Sequence, residues 1–184
     1  QGSPPWGLDR IDQRFLPLSN SFTYRSAGQG ATVYVIDSGL PPSHVEFTGR
    51  VPFVLYDDAQ FTDYYDCNGH GTHVAGTAVG TTYGVAKAAT LIPIRVFGCG
   101  LSTSQSSILA ALDWIVDNHD PAEPAVVNMS FGGGVNGSTP IFEAAVQSVI
   151  DRGIVAVAAA GNDNRDACGE SPARMPTVLT VGAT

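Results

Sequence analysis

Short runs of β-branched and small apolar residues, each ending on a polar or glycine-rich stop, alternate along this chain with segments of helical periodicity. That alternation restricts the fold more than any other feature. Val33-Tyr34-Val35-Ile36 stops at Asp37-Ser38-Gly39, Ala125-Val126-Val127-Asn128-Met129 at Ser130-Phe131-Gly132-Gly133-Gly134, and Ile154 to Ala159 at Ala160-Gly161-Asn162. Thr90 to Val96 and Thr177 to Val181 read as further strands, Pro93 weighing against a central place for the former. Ile108, Leu109, Leu112, Ile115 and Val116 mark an amphipathic helix over Ser104 to Asn118. Phe142, Ala145, Val146, Val149 and Ile150 mark another, closed by Gly153. Strict alternation predicts an α/β fold, a mostly parallel central sheet with right-handed crossovers and helices on both faces. The 184 residues suffice for one substantial core, so for one domain or most of a larger one.

In such a sheet ligands bind beyond the carboxyl ends of the strands, where loops converge and helix N-termini point. Asp37, Ser130 to Gly134 and Asn162 lie at such ends. His70, within Asp66-Cys67-Asn68-Gly69-His70-Gly71-Thr72-His73-Val74-Ala75-Gly76-Thr77, opens a helix on the same edge. Gly69 and Gly71 leave its imidazole unshielded, and the small residues that follow predict a closely packed helix. A carboxylate on one ring nitrogen fixes the tautomer, so that the other nitrogen takes a proton from a nucleophile; Asp37 and His70 suit those roles. The Asn162 amide can donate to an oxygen that becomes negative in a tetrahedral intermediate. Ser130 to Gly132 and Gly100 to Ser102 can run extended beside a substrate backbone. These parts serve acyl transfer and lack only the nucleophile. Two other readings stand beside this one: Cys67, His70 and His73 as three zinc ligands at helical spacing, or both histidines satisfying helix-end backbone groups.

A formal charge of −8 with Lys87 as the one lysine excludes a nucleic-acid or anionic-membrane surface, which needs clustered positive charge. No apolar run reaches the roughly 18 to 20 residues that span a bilayer, and Gln1-Gly2-Ser3-Pro4-Pro5 reads as a mature terminus rather than a targeting signal. Cys67, Cys99 and Cys168 are an odd number, leaving one unpaired if the compartment is oxidising. The first thirty residues are irregular, with Trp6 and Leu8 as anchors. Asp9, Asp12 and Gln13 lie three and four apart, followed by Ser19, Asn20 and Ser21; hard oxygen groups so placed suit calcium or a solvated helix start.

Six segments carry a family resemblance. They are Trp6-Gly7-Leu8-Asp9-Arg10-Ile11-Asp12-Gln13, Tyr34-Val35-Ile36-Asp37-Ser38-Gly39, Asn68 to Thr77, Tyr83-Gly84-Val85-Ala86-Lys87, Asn128 to Gly134, and Ala158-Ala159-Ala160-Gly161-Asn162-Asp163-Asn164. Over nearly its whole length the chain resembles the subtilisin-like serine proteases, in the proteinase K branch and of the aqualysin type. The resemblance implies a subtilisin-like fold and an extracellular, secreted endopeptidase. Asp37 would orient His70, His70 would act as general base and then acid, Asn162 would be the oxyanion donor, and His73 would be structural. Substrate strands would map to Gly100-Leu101-Ser102 and Ser130-Phe131-Gly132. Ala159, Ala160 and Gly161 would wall a roomy apolar primary pocket, giving broad cleavage after large apolar or aromatic residues. Asp9, Asp12, Gln13, Ser19 and Ser21 match a calcium site of this branch. Pro176 and Val178 match backbone ligands of another calcium site, whose carboxylate lies further on. Cys67 and Cys99 match a disulfide, and the counterpart of Cys168 bonds a cysteine downstream.

The family's nucleophile sits in a Gly-Thr-Ser-Met-Ala segment that residues 1–184 do not contain. Ser38, Ser130 and Ser171 lack that context. The expectation is therefore the N-terminal portion of a single subtilisin-like peptidase domain, incomplete at the C-terminus and inactive without the remainder. Its partners would be peptide or protein substrates, that remainder (supplying the serine and a partner for Cys168) and a peptide or protein inhibitor. A catalytically inactive subtilisin-like peptide-binding module is the alternative.

Overall fold

The computed structural model describes residues 3–41, 43–52 and 65–183; Gln1 and Gly2 of the N-terminal stretch, and Thr184, lie outside the described residues. In chain order the elements are α1 (Trp6–Ile11), β1 (Thr32–Asp37), α2 (His70–Val79), β2 (Thr90–Arg95), α3 (Gln105–Asn118), β3 (Ala125–Met129), β4 (Gly133–Gly134), α4 (Thr139–Asp151), β5 (Val155–Ala159), β6 (Glu170–Ser171) and β7 (Leu179–Val181). Five strands form one parallel sheet in the order β2-β1-β3-β5-β7, and β4 pairs antiparallel with β6. Among the described residues β2 is an edge strand, the position that Pro93, without an N–H to donate, tolerates.

Alternation along β1 assigns its side chains to two cores. Tyr34 and Ile36 join Leu112 and Ile115 of α3 and Val146 and Val149 of α4 on one face. Val33 and Val35 join Ala75 and Val79 of α2, with Leu40 and Phe47, on the other. Helices therefore cover both faces, as the alternation predicts. On the α2 side Val33, Val126 and Val155 are in register and Val157 and Ala159, on the same face of β5, pair with Leu179 and Val181; there Val155, Leu179 and Val181 are exposed. The helix ends follow local chemistry. Ser104 Oγ caps α3 by accepting the Ser107 N–H at 3.1 Å, and Gly153 at φ +87 ends α4. Among the described residues no helix is long and apolar enough to cross a membrane.

Two expectations are corrected. Leu8 is buried, but Trp6 is 70% exposed, because residues two apart on a helix point to opposite sides and only Leu8 faces the chain. The last strand pairs from Leu179 rather than Thr177, since the Val178 N–H turns back to Met175 O at 3.1 Å.

The feature that positions the site is the approach of α2 to the end of β1. A Cβ on Gly71 would stand 2.5 Å from Gly39 O and 3.1 Å from Asp37 Cβ, whereas one on Gly76, later in the same helix, would meet nothing within 4 Å. Gly71→Ala should therefore destabilise the fold by about 1–3 kcal/mol through overpacking. Gly76→Ala should stabilise it by up to about 1 kcal/mol through helix propensity. Denaturant midpoints of the two variants measure this opposition in sign.

Candidate active site

Asp37 ends β1 almost wholly buried, its carbonyl accepting the N–H groups of Val96 at 2.9 Å and Phe97 at 3.2 Å. His70 is the first residue of α2, and its Nδ1 stands 2.7 Å from Asp37 Oδ1. That oxygen also accepts the Ser38 N–H at 2.7 Å. With Asp37 as a carboxylate, Nδ1 is the donor, which leaves Nε2 with a lone pair on a ring that is 41% exposed. Asp37 Oδ2 is buried without a hydrogen-bond partner among the described residues.

Asp66 holds the two elements in register. Its Oδ1 accepts from the Ser38 hydroxyl at 2.9 Å, Asn68 N–H at 3.0 Å and Gly69 N–H at 2.7 Å, and its Oδ2 accepts from the Thr72 N–H at 2.9 Å and the Thr72 hydroxyl. Ser38 Oγ in turn accepts the Gly71 N–H at 2.9 Å, tying the end of β1 to the first turn of α2. Burial opposes the Asp66 charge, but hydrogen bonds from Thr72, Gly69 and Ser38 outweigh it and hold the carboxyl at about 2.

A cavity of about 500 Å³ opens at this rim, and Asp37, His70 and Asn162 all line it, with Leu101, Ser130, Phe131, Gly132, Ala159 and Gly161. Asn162 follows Gly161, whose φ of +101 turns the chain out of β5. Ala160 is not among the lining residues; its N–H bonds Val181 O at 2.9 Å. Neither are Gly100 and Ser102. The Gly98 N–H donates to Ser102 O at 2.9 Å, the Leu101 N–H to Gly98 O at 2.9 Å, and Leu101 holds φ +55. A segment closed on itself as a turn is not extended, so the expected second substrate strand is corrected, and of the three only Leu101 reaches the cavity. A second hollow of about 440 Å³ lies against the Phe131 to Gly134 segment, with apolar walls from Phe97, Ile108 and Phe142.

The cavity carries charge beside its small-residue walls. Asp163, Arg165 and Glu170 also line it, and Glu170 is 6% exposed. The sequence assigns no site role beyond Asn162 in this segment, so these three went unassigned. The charged run Asp163-Asn164-Arg165-Asp166 immediately after a rim residue was the available signal.

Cys67 is bonded to Cys99, which removes it as a metal ligand. His73 is exposed, and among the described residues no three His, Cys, Asp or Glu side chains converge as a metal group. The zinc reading is thereby corrected, and the His70 ring bonds Asp37 rather than a helix-end backbone group. Asp9, Gln13, Ser19 and Ser21 converge through hydrogen bonds, whereas Asp12 Oδ2 accepts the Thr23 N–H. Asp9 Oδ1 accepts from Ser19 N–H and Oγ at 3.1 Å each and Oδ2 from Asn20 N–H at 2.7 Å. Gln13 Oε1 accepts from Ser19 N–H at 3.0 Å, and Ser19 Oγ lies 2.7 Å from Ser21 Oγ. Pro176 and Val178 lie in the turn before β7. Cys168 is free and exposed, its thiol pushed up by a hydrogen bond and charge from Asp166. Of the serines considered, Ser38 Oγ is bound to Asp66, Ser130 Oγ accepts from Asn128 Nδ2 at 2.9 Å, and Ser171 lines the second hollow.

A sequence model of the subtilase family matches residues 28–184. The chain belongs to the subtilase family. An extracellular serine proteinase of Thermus sp. (strain Rt41A) is 53% identical over all of this chain and 44% of the relative. An alkaline serine exoprotease A of Vibrio alginolyticus is 49% identical over 97% of this chain and 33% of the relative. A crystal structure of a cold adapted subtilisin-like serine proteinase superposes with a TM-score of 0.90 at 45% identity, over 99% of this chain and 65% of that one. The fold is thus subtilisin-like, and this subtilase chain spans less than half the length of the two sequence relatives.

Because the folded Asp66 carboxyl titrates below its ordinary value, its ionisation stabilises the subtilase fold above about pH 4 and that contribution disappears as pH falls through about 2. The magnitude is about 2 kcal/mol. Asp66→Asn should lower stability near neutral pH by about that amount and flatten the acid limb between about pH 4 and 2, read by denaturation across pH.

Proposed function

We propose that this chain carries the acid, base and oxyanion-donor parts of a secreted serine endopeptidase. The 2.7 Å Asp37–His70 contact, at a rim it shares with Asn162, carries the reading. Asp37 holds the Nδ1–H tautomer, so Nε2 takes the proton of a serine hydroxyl as that oxygen attacks the scissile carbonyl, and returns it to the leaving amine. The Asn162 amide donates to the carbonyl oxygen as it gains charge. Ser130 to Gly132 lines the cavity and accepts the substrate backbone, while Phe131, Ala159 and Gly161 contact large apolar or aromatic side chains. The hydroxyl comes from sequence outside residues 1–184, as does the cysteine that pairs with Cys168. A serine-directed phosphonylating reagent should label the longer protein and leave a chain of residues 1–184 unlabelled.

The oxygen cluster near the N-terminus fits calcium. Asp12 Oδ1 is buried and, among the described residues, without a hydrogen-bond partner, and Asp9, Gln13, Ser19 and Ser21 would supply further hard oxygens. Calcium there would tie α1 to the following loop. Pro176 and Val178 offer only backbone oxygens to a second ion, whose carboxylate would come from beyond residue 184.

Two measurements test this subtilase. Asn162→Ala should lower kcat by roughly 10²–10³ with KM nearly unchanged, because its bond forms only as charge develops; equal losses in both would give the residue a ground-state role. Chelation should lower the melting temperature, an ion bound only to the folded state adding stability by mass action, and Asp12→Asn should abolish that difference.

A further inference from the structure

Glu170 is the one deeply buried charge in the cleft that the mechanism above does not use. It lies in the two-residue strand β6, with register Gly134 to Glu170, so its backbone is fixed. An added Cβ at Gly161 would touch its Cγ at 3.5 Å, which places the Glu170 stem against the glycine wall of the cavity. Its side chain is 8% exposed, whereas the Arg165 side chain that faces it is 56% exposed.

The pairing of these two is incomplete. Arg165 Nη2 stands 2.5 Å from Glu170 Oε1, yet that oxygen is buried without a hydrogen bond. The same nitrogen directs its hydrogen bond to Asp163 Oδ2 at 2.7 Å. Glu170 is thus ion-paired at Oε1 by a side chain whose aligned hydrogen bond goes to Asp163, so a cationic donor better aligned on that oxygen would compete for it. Asp163, Arg165 and Glu170 together carry one net negative charge, so a cation entering the cavity would complete their neutrality. Arg165 is more than half exposed and can swing toward solvent, but Glu170 cannot move out, so an entering cation has to take the place of the arginine charge that the buried carboxylate gives up.

We propose that Glu170 is a specificity-determining residue of the cleft, accepting the cationic side chain of a lysine or arginine on the substrate and extending selectivity beyond apolar residues. As a statement about cleavage this rests on the endopeptidase reading; as a statement about cation binding it does not. Lysine and norleucine have chains of similar length and differ in charge, so their ratio isolates the interaction. The longer active protein should cleave after lysine about tenfold or more better than after norleucine by kcat/KM. Glu170→Gln should reduce that ratio on the order of 10- to 100-fold, the range for a hydrogen bond to a charged group. Arg165→Ala, a change at an exposed residue that spares the buried backbone, should raise the ratio.

A binding measurement needs no nucleophile. Calorimetric titration with benzamidine, against uncharged benzamide as reference, should show a preference for the cation that falls in Glu170→Gln and rises in Arg165→Ala. Norleucine favoured over lysine, or a benzamidine preference unchanged in both variants, overturns the proposal and leaves the peptidase reading standing. Benzamidine binding that depends on Glu170 in a protein that cleaves no peptide keeps the cation site and overturns the peptidase reading.

Discussion

A hydrogen bond between side chains 33 residues apart persists only if the backbones behind them are held to within a few tenths of an ångström. Here that requirement falls on the junction of β1 and α2. Gly71 lets the helix backbone lie against Gly39 O, where a methyl group would not fit. Asp66 then fixes the two from the side, accepting the Ser38 hydroxyl on one hand and the Gly69 and Thr72 N–H groups on the other. Ser38 completes the link through the Gly71 N–H. A carboxylate at the start of a helix is favoured by the helix dipole as well as by these bonds, which is why it stays ionised in a buried place. Every other site residue is arranged around a histidine whose position this cluster sets.

Much of this was legible in the residues because periodicity and stops report on local physics. The run at Val33 is buried on both faces, which requires apolar residues at consecutive positions, while those at Ala125 and Ile154 alternate between buried and more exposed positions. Their polar stops gather at one rim because parallel strands all end on one side. Asp37, His70 and Asn162 could therefore be placed together from topology alone. Trp6 could not be placed, since a six-residue helix carries too little pattern to say which side it buries. The turn at Gly98 to Ser102 was also hidden, because Leu101 at φ +55 is a conformation that the residue type does not advertise.

The role of Asp66 was invisible for a different reason. Nothing in its neighbours' identities says that five donors will meet at one carboxylate; that follows from the path of the chain between β1 and α2. Likewise Glu170 reads as an ordinary charged residue before Ser171 and Pro172. Only the pairing of β6 with β4 carries it into the cleft, beside glycines that leave room for its stem. Sequence patterns locate the scaffold of such a site more surely than the charges that tune it, because scaffolds repeat and tuning groups occur once.

The division between scaffold and tuning also explains why the rim tolerates both a buried acid at Asp37 and another at Glu170. Asp37 has a Ser38 N–H and an imidazole on Oδ1 to stabilise its charge, and its Oδ2 lacks a donor among the described residues. Glu170 has an arginine whose hydrogen bond goes elsewhere. Both carboxylates keep one buried oxygen without a hydrogen bond among the described residues, but the partners of Asp37 are fixed by the β1–α2 junction whereas the Arg165 side chain beside Glu170 is 56% exposed. Glu170 lines the same cavity as Ala159 and Gly161, so the charge with the less constrained partner stands where the rim has least side-chain bulk.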